Sequence, residues 1–259
     1  MDRRSLIKYM SMCTAGGVFS LSFPSLRSAI ASERGPEWGY EGENGPQLWS
    51  ELSSDFSVCG TGRQQSPIDL QGAIPSELAD FELSYQDIPL RLLHNGHTIQ
   101  VNAEPGNKLN LSGKDFELLQ FHFHHPSEHT ANNQPYPMEV HFVHQSKQGE
   151  LAVLGIFMQE GDENEGLNPI WDAMPDQETP EQTIAGVKVN MSKLLPDDQS
   201  SYRYFGSLTT PPCSEIVRWV VLQEPIAVSK GQIEKFSRVF PGNARPVQPR
   251  NRRFLLQSN

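Results

Sequence analysis

The histidines of this 259-residue chain are confined to one region, because all eight lie between His94 and His144. Within it, residues 119–129 read Leu-Gln-Phe-His-Phe-His-His-Pro-Ser-Glu-His, where His122 and His124 alternate with phenylalanines. Alternate residues of a β-strand share a face and lie about 7 Å apart along it. The pattern therefore predicts a strand with two imidazoles on one face, close enough to bind one ion.

A third ligand has to come from another strand, and residues 138–144, Met-Glu-Val-His-Phe-Val-His, supply His141 with Glu139 on the same face. Three neutral imidazoles suit Zn²⁺ and leave its fourth position open, as in catalytic zinc sites, whereas structural sites use four protein ligands. Gln120 and Glu139 lie on the ligand faces, where they can accept the second ring N–H of a ligand. We expect zinc to be held by His122, His124 and His141.

The surrounding sequence predicts a mostly β, single-domain fold with peripheral helices. From about residue 80 to 160, short runs of period two, including Leu119/Phe121/Phe123, alternate with turn signals. The pattern predicts a helix over residues 230–239, with Ser229 as its cap and Gln232 at the capping-box position. A weaker short helix is expected at 168–173, and residues 33–66 are expected to form an irregular arm.

Residues 1–31 resemble an export signal peptide. They begin with a charged segment containing Arg3 and Arg4, continue through a short apolar stretch and end in Ala29-Ile30-Ala31, a cleavage-site pattern. The arginine pair is similar to a twin-arginine signal, although the general secretory route and an uncleaved, disordered or membrane-anchoring N-terminus are alternatives. We expect residues 32–259 to form the functional domain and to lie in the periplasm or outside the cell.

The charge, apolar runs and cysteines of the chain disfavour some classes of protein. The chain has 21 basic and 31 acidic residues, a net charge of −10, which disfavours a nucleic-acid-binding protein because such proteins need a basic surface. No apolar run of about 18 residues is present, so we expect no stable membrane span. Removing residues 1–31 also removes Cys13 and leaves Cys59 and Cys213. In an oxidising compartment this pair is read as one disulfide, with two free thiols as the alternative.

Several strings in the chain resemble the α-class carbonic anhydrases. They run in order over nearly all of residues 32–259 and include Trp-Gly-Tyr at 38–40, Gln-Ser-Pro at 65–67, Asn-Gly-His at 95–97, Gln-Phe-His-Phe-His at 120–124, Ser-Glu-His at 127–129, Glu-Val-His at 139–141, Ser-Leu-Thr-Thr-Pro-Pro at 207–212 and Asn-Ala-Arg-Pro at 243–246. The resemblance implies a large, central, mainly antiparallel twisted sheet. It also implies a zinc enzyme that reversibly hydrates carbon dioxide to bicarbonate and a proton through zinc-bound hydroxide.

The resemblance also implies residue roles. Glu128 and Thr209 match the pair that orients the hydroxide, with the Thr209 hydroxyl donating to Glu128. His97 matches the family's proton shuttle, for which an ordinary pKa near 6.5 is suitable, and Tyr40 matches a residue that orders the intervening water. The positions that match the substrate pocket and its apolar wall are Val143, Val153, Leu208, Thr209, Thr210 and Trp219.

In exported members of the family a disulfide ties the N-terminal arm to the loop that carries Thr209, which implies pairing of Cys59 with Cys213. We also expect a cis bond between Pro211 and Pro212. The partner is a small molecule, carbon dioxide or bicarbonate, and the chain is expected to be a monomer or a dimer.

The sequence also leaves two other interpretations open. The spacing of His122, His124 and Glu128 partly imitates a cupin metal motif, but the flanking glycines of a cupin are missing, with Phe116 and Pro135 in their places. The second is an inactive relative that serves as a zinc-binding or adhesive module. Such proteins typically lose a metal histidine, and this chain retains all three.

Overall fold

The computed structural model describes residues 36–79 and 81–258. The predicted signal peptide at 1–31 lies outside the described residues. In the described part, thirteen strands form one sheet and two more form a small hairpin. The strands are β1 Ile74–Pro75, β2 Phe81–Ser84, β3 Ile88–His94, β4 Ile99–Asn102, β5 Lys108–Leu111, β6 Lys114–His124, β7 Thr130–Ala131, β8 Gln134–Pro135, β9 Met138–Ser146, β10 Leu151–Glu160, β11 Thr179–Val189, β12 Ser201–Gly206, β13 Val217–Leu222, β14 Ile226–Val228 and β15 Leu256–Gln257.

The large sheet has the order β1-β15-β12-β13-β10-β9-β6-β4-β3-β11. Strand β14 pairs with β10, and β5 pairs with both β2 and β6. Most pairs are antiparallel, and the parallel ones are β1–β15, β10–β13 and β10–β14. The mostly β class and the largely antiparallel sheet are therefore confirmed. Strands β6 and β9, which carry the histidine motifs, are adjacent near the middle of this order.

Helices are short and lie outside the sheet: α1 Trp49–Leu52, α2 Val58–Thr61, α3 Asn168–Ala173 and α4 Lys230–Val239, with short 3₁₀ turns at 42–44, 54–56 and 191–194. The bounds of α3 and α4 agree with the prediction. Helix α4 begins with the predicted capping box, in which the Ser229 hydroxyl accepts from the Gln232 backbone N–H and the Gln232 side chain accepts from the Ser229 backbone. The arm is irregular as expected, but it contains two helical turns, α1 and α2.

The predicted alternation of Leu119, Phe121 and Phe123 in β6 is wrong at its first residue. Phe121 and Phe123 are fully buried in the core, but so is Leu118, while Leu119 is only partly buried. The pairing with β9 shifts between Leu118 and Gln120, so Leu119 is the extra residue of a β-bulge. Because the bulge lies before Gln120, the face that carries His122 and His124 is unaffected.

No helix in the described ranges is long and apolar enough to cross a membrane.

Candidate metal centre

The three predicted ligands come together because of the register between β6 and β9. His122 lies directly opposite His141, and His124 lies opposite Glu139. Directly opposed residues on antiparallel strands point to the same face of a sheet. The period-two spacing within β6 supplies the third imidazole, so two strands are sufficient to assemble the cluster.

One nitrogen of each ring in the trio His122, His124 and His141 lies within 4.8 Å of the others. The ring centroids are 5.0 Å apart for His122 and His124, 5.5 Å for His122 and His141, and 4.6 Å for His124 and His141. His124 and His141 are buried, and His122 is half-buried. The three rings thus converge at one point, and His122 is the least buried of them.

The other nitrogen of each ring is held by a hydrogen bond. His122 donates from Nδ1 to the Gln120 side chain at 2.9 Å, His124 from Nδ1 to a backbone carbonyl, that of Asn243, at 2.8 Å, and His141 from Nε2 to the Glu139 carboxylate at 2.8 Å. These bonds leave Nε2, Nε2 and Nδ1 facing inward. Nε2 of His124 is buried without any hydrogen-bond partner among the described residues.

Electrostatics keep two of the rings neutral. Burial lowers the pKa of His122 well below its ordinary value, and the neighbouring His124 and His141 lower it further. Burial likewise lowers the pKa of His124. Burial also acts to lower the pKa of His141, but the Glu139 carboxylate outweighs it and raises that pKa. Because a metal binds only neutral imidazole, His122 and His124 are ready to bind at neutral pH.

Glu139 is the most heavily hydrogen-bonded group of the site. Besides His141, it accepts from the backbone N–H groups of Glu128 and His129 at 2.9 Å each and from the His129 ring at 2.7 Å. Burial acts to raise its pKa, but His129 and His141 hold it well below the ordinary value. His129 in turn contacts the Tyr204 hydroxyl at 2.7 Å. This chain of buried groups fixes the position of the His141 ring.

Glu128 and Thr209, the predicted orienting pair, are both buried, but the predicted hydrogen bond between them is not formed in the structure. Glu128 accepts from the Arg245 backbone N–H through Oε1 at 2.9 Å. Its Oε2 has no hydrogen-bond partner among the described residues and lies 3.6 Å from Nε2 of His124 and 3.8 Å from Nδ1 of His141. An unpartnered carboxylate oxygen therefore faces the inward nitrogens.

Residues of the predicted apolar wall pack in one cluster. Val143, Val153 and Trp219 are buried in it, and Leu208 packs against it half-exposed. Strand pairing explains the contact, because β10 places Val153 between Val143 on β9 and Trp219 on β13. The Trp219 ring lies edge-on to His141 with centroids 4.9 Å apart. An apolar surface thus adjoins the imidazole cluster, and Thr210 is half-buried in the loop that follows Leu208.

The predicted shuttle residue, His97, is half-buried and stacked on Trp38, with centroids 3.6 Å apart and planes inclined by 7°. Tyr40 lies edge-on to the same ring at 6.4 Å. In this position burial lowers the pKa of His97 to about 4, which is below the value of 6.5 assumed in the sequence prediction. Desolvation, with Glu128 nearby, raises the pKa of Tyr40 well above its ordinary value, so the phenol stays neutral.

Cys59 and Cys213 form a disulfide that joins α2 to the loop after Thr209. The peptide bond between Pro211 and Pro212 is cis, as expected. Two further hydrogen bonds hold the same junction: the Gln65 side chain donates to the Cys213 carbonyl at 3.1 Å, and Arg245 donates to the Cys59 carbonyl at 3.0 Å.

Sequence reasoning gave no role to Asn243 and Arg245, although it quoted their motif. Besides accepting from His124, Asn243 donates through its side chain to the carbonyls of His97 and Phe123 at 2.9 Å each. Arg245 is fully buried and contacts the Trp49 ring. The motif itself was the only available signal, because these residues lie more than 110 positions from the groups that they hold.

The largely antiparallel sheet thus carries three convergent imidazoles that could hold a metal ion, next to an apolar wall. The eukaryotic-type carbonic anhydrase family matches residues 44–259. A carbonic anhydrase of Nostoc sp. is 46% identical over 261 residues, covering 99% of this chain and 97% of the relative. The chain therefore belongs to the α-class, or eukaryotic-type, carbonic anhydrase family, and the prediction of a carbonic anhydrase enzyme is confirmed at that level.

Solved structures of similar fold include members of the same family. An α-carbonic anhydrase from Thermovibrio ammonificans, in complex with the inhibitor sulfanilamide, is 44% identical with a TM-score of 0.83 and covers 86% of this chain and 99% of its own. Dioscorin, solved in complex with ascorbate, is 30% identical with a TM-score of 0.80 and covers 85% of this chain and 97% of its own. Since differently named proteins share the fold, the site residues have to carry the functional argument.

Proposed function

We propose that the chain hydrates carbon dioxide reversibly to bicarbonate and a proton, with zinc bound by His122, His124 and His141. The single observation that carries the proposal is the convergence of three imidazole nitrogens within 4.8 Å, while the second nitrogen of each ring is tied by a hydrogen bond. Such partners fix the tautomer and direct the free lone pair at the ion.

The donor set fits Zn²⁺. Three imidazole nitrogens without a cysteine would leave one coordination position for water, the arrangement of catalytic rather than structural sites. The buried, unpartnered Nε2 of His124 supports the same assignment, because a buried polar atom without a partner is costly unless something binds it. When bound, Zn²⁺ lowers the pKa of water to about 7, a value that carbonic anhydrase itself exemplifies, and so supplies a nucleophile at neutral pH.

The remaining polar residues are proposed to orient the reactants. Thr209 would accept a hydrogen bond from the nucleophile if its own hydroxyl proton is donated to Glu128. The unpartnered Oε2 of Glu128 is the acceptor that this arrangement needs. The Arg245 backbone N–H holds the other oxygen, Oε1, and thereby fixes the carboxylate.

The apolar wall is proposed to bind the substrate. Carbon dioxide has almost no polar handle, so a pocket has to hold it by contact with apolar side chains and by excluding water. Val143, Val153, Leu208 and Trp219 provide this surface next to His141, and Thr210 completes the pocket. The product bicarbonate is polar and leaves toward water.

His97 is proposed to carry the product proton to solvent. Tyr40 is proposed to order the water that lies between the zinc site and His97. A pKa of about 4 is too low for that task at neutral pH. The proposal therefore requires the His97 ring to leave the Trp38 stack and become hydrated, where its pKa returns toward the ordinary 6.5. A ring that is stacked rather than hydrogen-bonded through its nitrogens can make that movement at modest cost.

The test combines metal analysis with stopped-flow CO₂ hydration on the same purified sample. We expect one zinc per chain and rapid hydration. His141→Ala should lose zinc and nearly all activity. His97→Ala, the control, also removes one imidazole but should keep zinc. His97→Ala should also turn over slowly in weak buffer and recover when imidazole is added. A zinc-loaded wild-type protein without turnover would instead identify an inactive binding module.

We also propose export, with residues 1–31 removed and residues 32–259 acting in the periplasm or outside the cell. The disulfide supports this location, because such bonds persist in oxidising compartments. Cell fractionation and the mass of the secreted chain test it, since cleavage after Ala31 predicts a mature protein that begins at Ser32. Recovery of the intact chain in the cytoplasm would contradict the proposal.

A further inference from the structure

One surface of this acidic protein combines exposed aromatic and cationic side chains. Phe254 is 73% exposed and Phe205 is 56% exposed, among the most exposed large hydrophobic residues in the described ranges. We call the surface the arginine–phenylalanine face and define it by Arg63, Phe205, Arg218, Arg250, Arg252 and Phe254.

Arg253 connects the members of this face. It donates to the backbone carbonyls of Phe205 at 3.1 Å and of Arg250 at 3.0 Å, and it precedes Phe254 in the chain. The guanidinium of Arg218 lies 4.9 Å from the centre of the Phe205 ring. The Asn251 side chain donates to the Arg63 carbonyl at 2.8 Å, which brings the backbone of residue 63 next to the segment that carries Arg250 and Arg252. Segments from four parts of the sequence therefore meet at one surface.

The arginines that define this face form no direct ion pairs with described residues. No carboxylate of residues 36–79 or 81–258 lies within 4.0 Å of the guanidinium nitrogens of Arg63, Arg218, Arg250 or Arg252. Arg250 instead donates to the backbone carbonyls of residues 71 and 72. Two acids lie nearby: Glu215 accepts from residues 64 and 65 and keeps its charge, and Glu150 pairs with Lys114, so the arginines of the region outnumber these acids.

We propose that the arginine–phenylalanine face docks the protein on a bilayer that contains anionic phospholipids. Guanidinium groups attract the phosphates of such a surface, and exposed aromatic rings insert at the boundary of headgroups and acyl chains. The exposed phenylalanines favour a bilayer over an acidic protein or a nucleic acid. Arginines alone are enough to bind carboxylates or phosphates, whereas exposed phenylalanine rings fit the apolar boundary of a bilayer. The net charge of −10 on the whole chain is repelled by the same bilayer, so the protein has to approach it through a cationic face.

Vesicle co-sedimentation of the full chain tests the proposal. We expect binding to vesicles of equal parts phosphatidylcholine and phosphatidylglycerol in about 0.1 M salt, and release in about 1 M salt, where the screening length falls from about 10 to about 3 Å. Binding to phosphatidylcholine alone should be much weaker. The triple variant Arg63→Gln, Arg218→Gln, Arg252→Gln should lower the partition coefficient about tenfold or more.

A matched control removes three cations from helix α4, with Lys230→Gln, Lys235→Gln and Arg238→Gln. It changes the net charge equally and leaves the arginine–phenylalanine face intact, so it should retain wild-type binding. Phe254→Ser changes no charge and should also weaken binding. The proposal is overturned if the wild-type chain does not bind anionic vesicles, if the two triple variants bind equally, whether strongly or weakly, or if gel filtration shows that the face instead joins two copies of the chain. Retained binding by Phe254→Ser would overturn the insertion of the ring. Circular dichroism of each variant verifies that it has folded.

Discussion

Glu139 and His141 lie two residues apart on the same strand, and Oε1 of the glutamate accepts a hydrogen bond from Nε2 of the histidine at 2.8 Å. This bond places the ring proton on the far side of the ring and leaves Nδ1 directed toward His122 and His124. The other two rings use the opposite nitrogen, so the proposed centre is assembled from one Nδ1 and two Nε2 atoms. The carboxylate is held by three further donors and cannot turn away.

Replacing Glu139 should weaken zinc binding without removing a ligand. We expect Glu139→Gln to lower zinc affinity about 10- to 100-fold, because the amide is a poorer acceptor and makes the His141 ring less basic. Competition with a chromophoric chelator measures the affinity. The exposed Glu165→Gln is the control and should bind zinc like the wild type. An unchanged affinity in Glu139→Gln would show that the bond does not tune the site.

Gly155 should be intolerant of a side chain, because it lies opposite His141 on the adjacent strand. A Cβ at this position would lie 3.0 Å from Oε1 of Glu139 and 3.7 Å from the His141 ring. Gly155→Ala should therefore displace the carboxylate and reduce zinc affinity severalfold while the sheet stays folded. Gly231→Ala, in helix α4 with no atom closer than 3.9 Å, should leave affinity unchanged. Equal affinities for the two variants would contradict the steric argument.

His144 should make the protein sensitive to acid. It is fully buried, accepts from the Tyr85 hydroxyl at 2.6 Å and has a pKa lowered to about 4, chiefly by burial. Since the unfolded chain binds its proton near pH 6.5, stability is greatest above 6.5 and falls as the pH drops toward 4. The difference between 6.5 and about 4 corresponds to about 3 kcal/mol.

Urea unfolding at pH 7.5 and pH 4.5 measures this effect. His144→Gln should lower stability at the higher pH but flatten the pH dependence by about 2–3 kcal/mol. Tyr85→Phe removes the hydroxyl and keeps the titrating ring, so it should retain most of the pH dependence. If His144→Gln loses as much stability on acidification as the wild type, another group is responsible.

Removing the disulfide should destabilise the chain. Cys59 and Cys213 are separated by 154 positions, and the chain-entropy model gives about 5 kcal/mol for so long a loop, with 2–4 kcal/mol typical of measured bridges. The double variant Cys59→Ser, Cys213→Ser should show this loss in urea unfolding. The CO₂ hydration activity of the folded variant should be largely retained, because Gln65 and Arg245 still hold the junction between α2 and the loop after Thr209. Unchanged stability after full reduction would refute the expectation.

Much of the candidate site was predictable because it is encoded locally. The period-two spacing of His122 and His124, and of Glu139 and His141, fixes which side chains share a face. Gln120 could be identified as the partner of His122 for the same reason. The capping box of α4 was also recognised, since it depends on neighbouring residues, whereas the cis bond before Pro212 was expected together with the resemblance and the cis bonds before Pro67 and Pro126 were not predicted.

Other features of the fold and site could not be predicted from the spacing of neighbouring residues. The bulge at Leu119 depends on how β6 meets β9, and the carbonyl that orients His124 comes from Asn243, 119 positions away. Glu128 and Thr209 were paired by resemblance, yet the structure leaves Oε2 of Glu128 without a partner. Sequence spacing does not report which of several distant polar groups reaches a given atom.

The sequence by itself determined the ligand chemistry, because a strand has a fixed side-chain period and three imidazoles offer a fixed donor set. The tertiary structure alone decided which nitrogen of each ring faces inward, how strongly His97 and His144 are desolvated, and which arginines meet at one surface. These properties arise from contacts between segments far apart in the chain. Hydrogen-bond direction and burial are set by the final packing and have no local sequence signal.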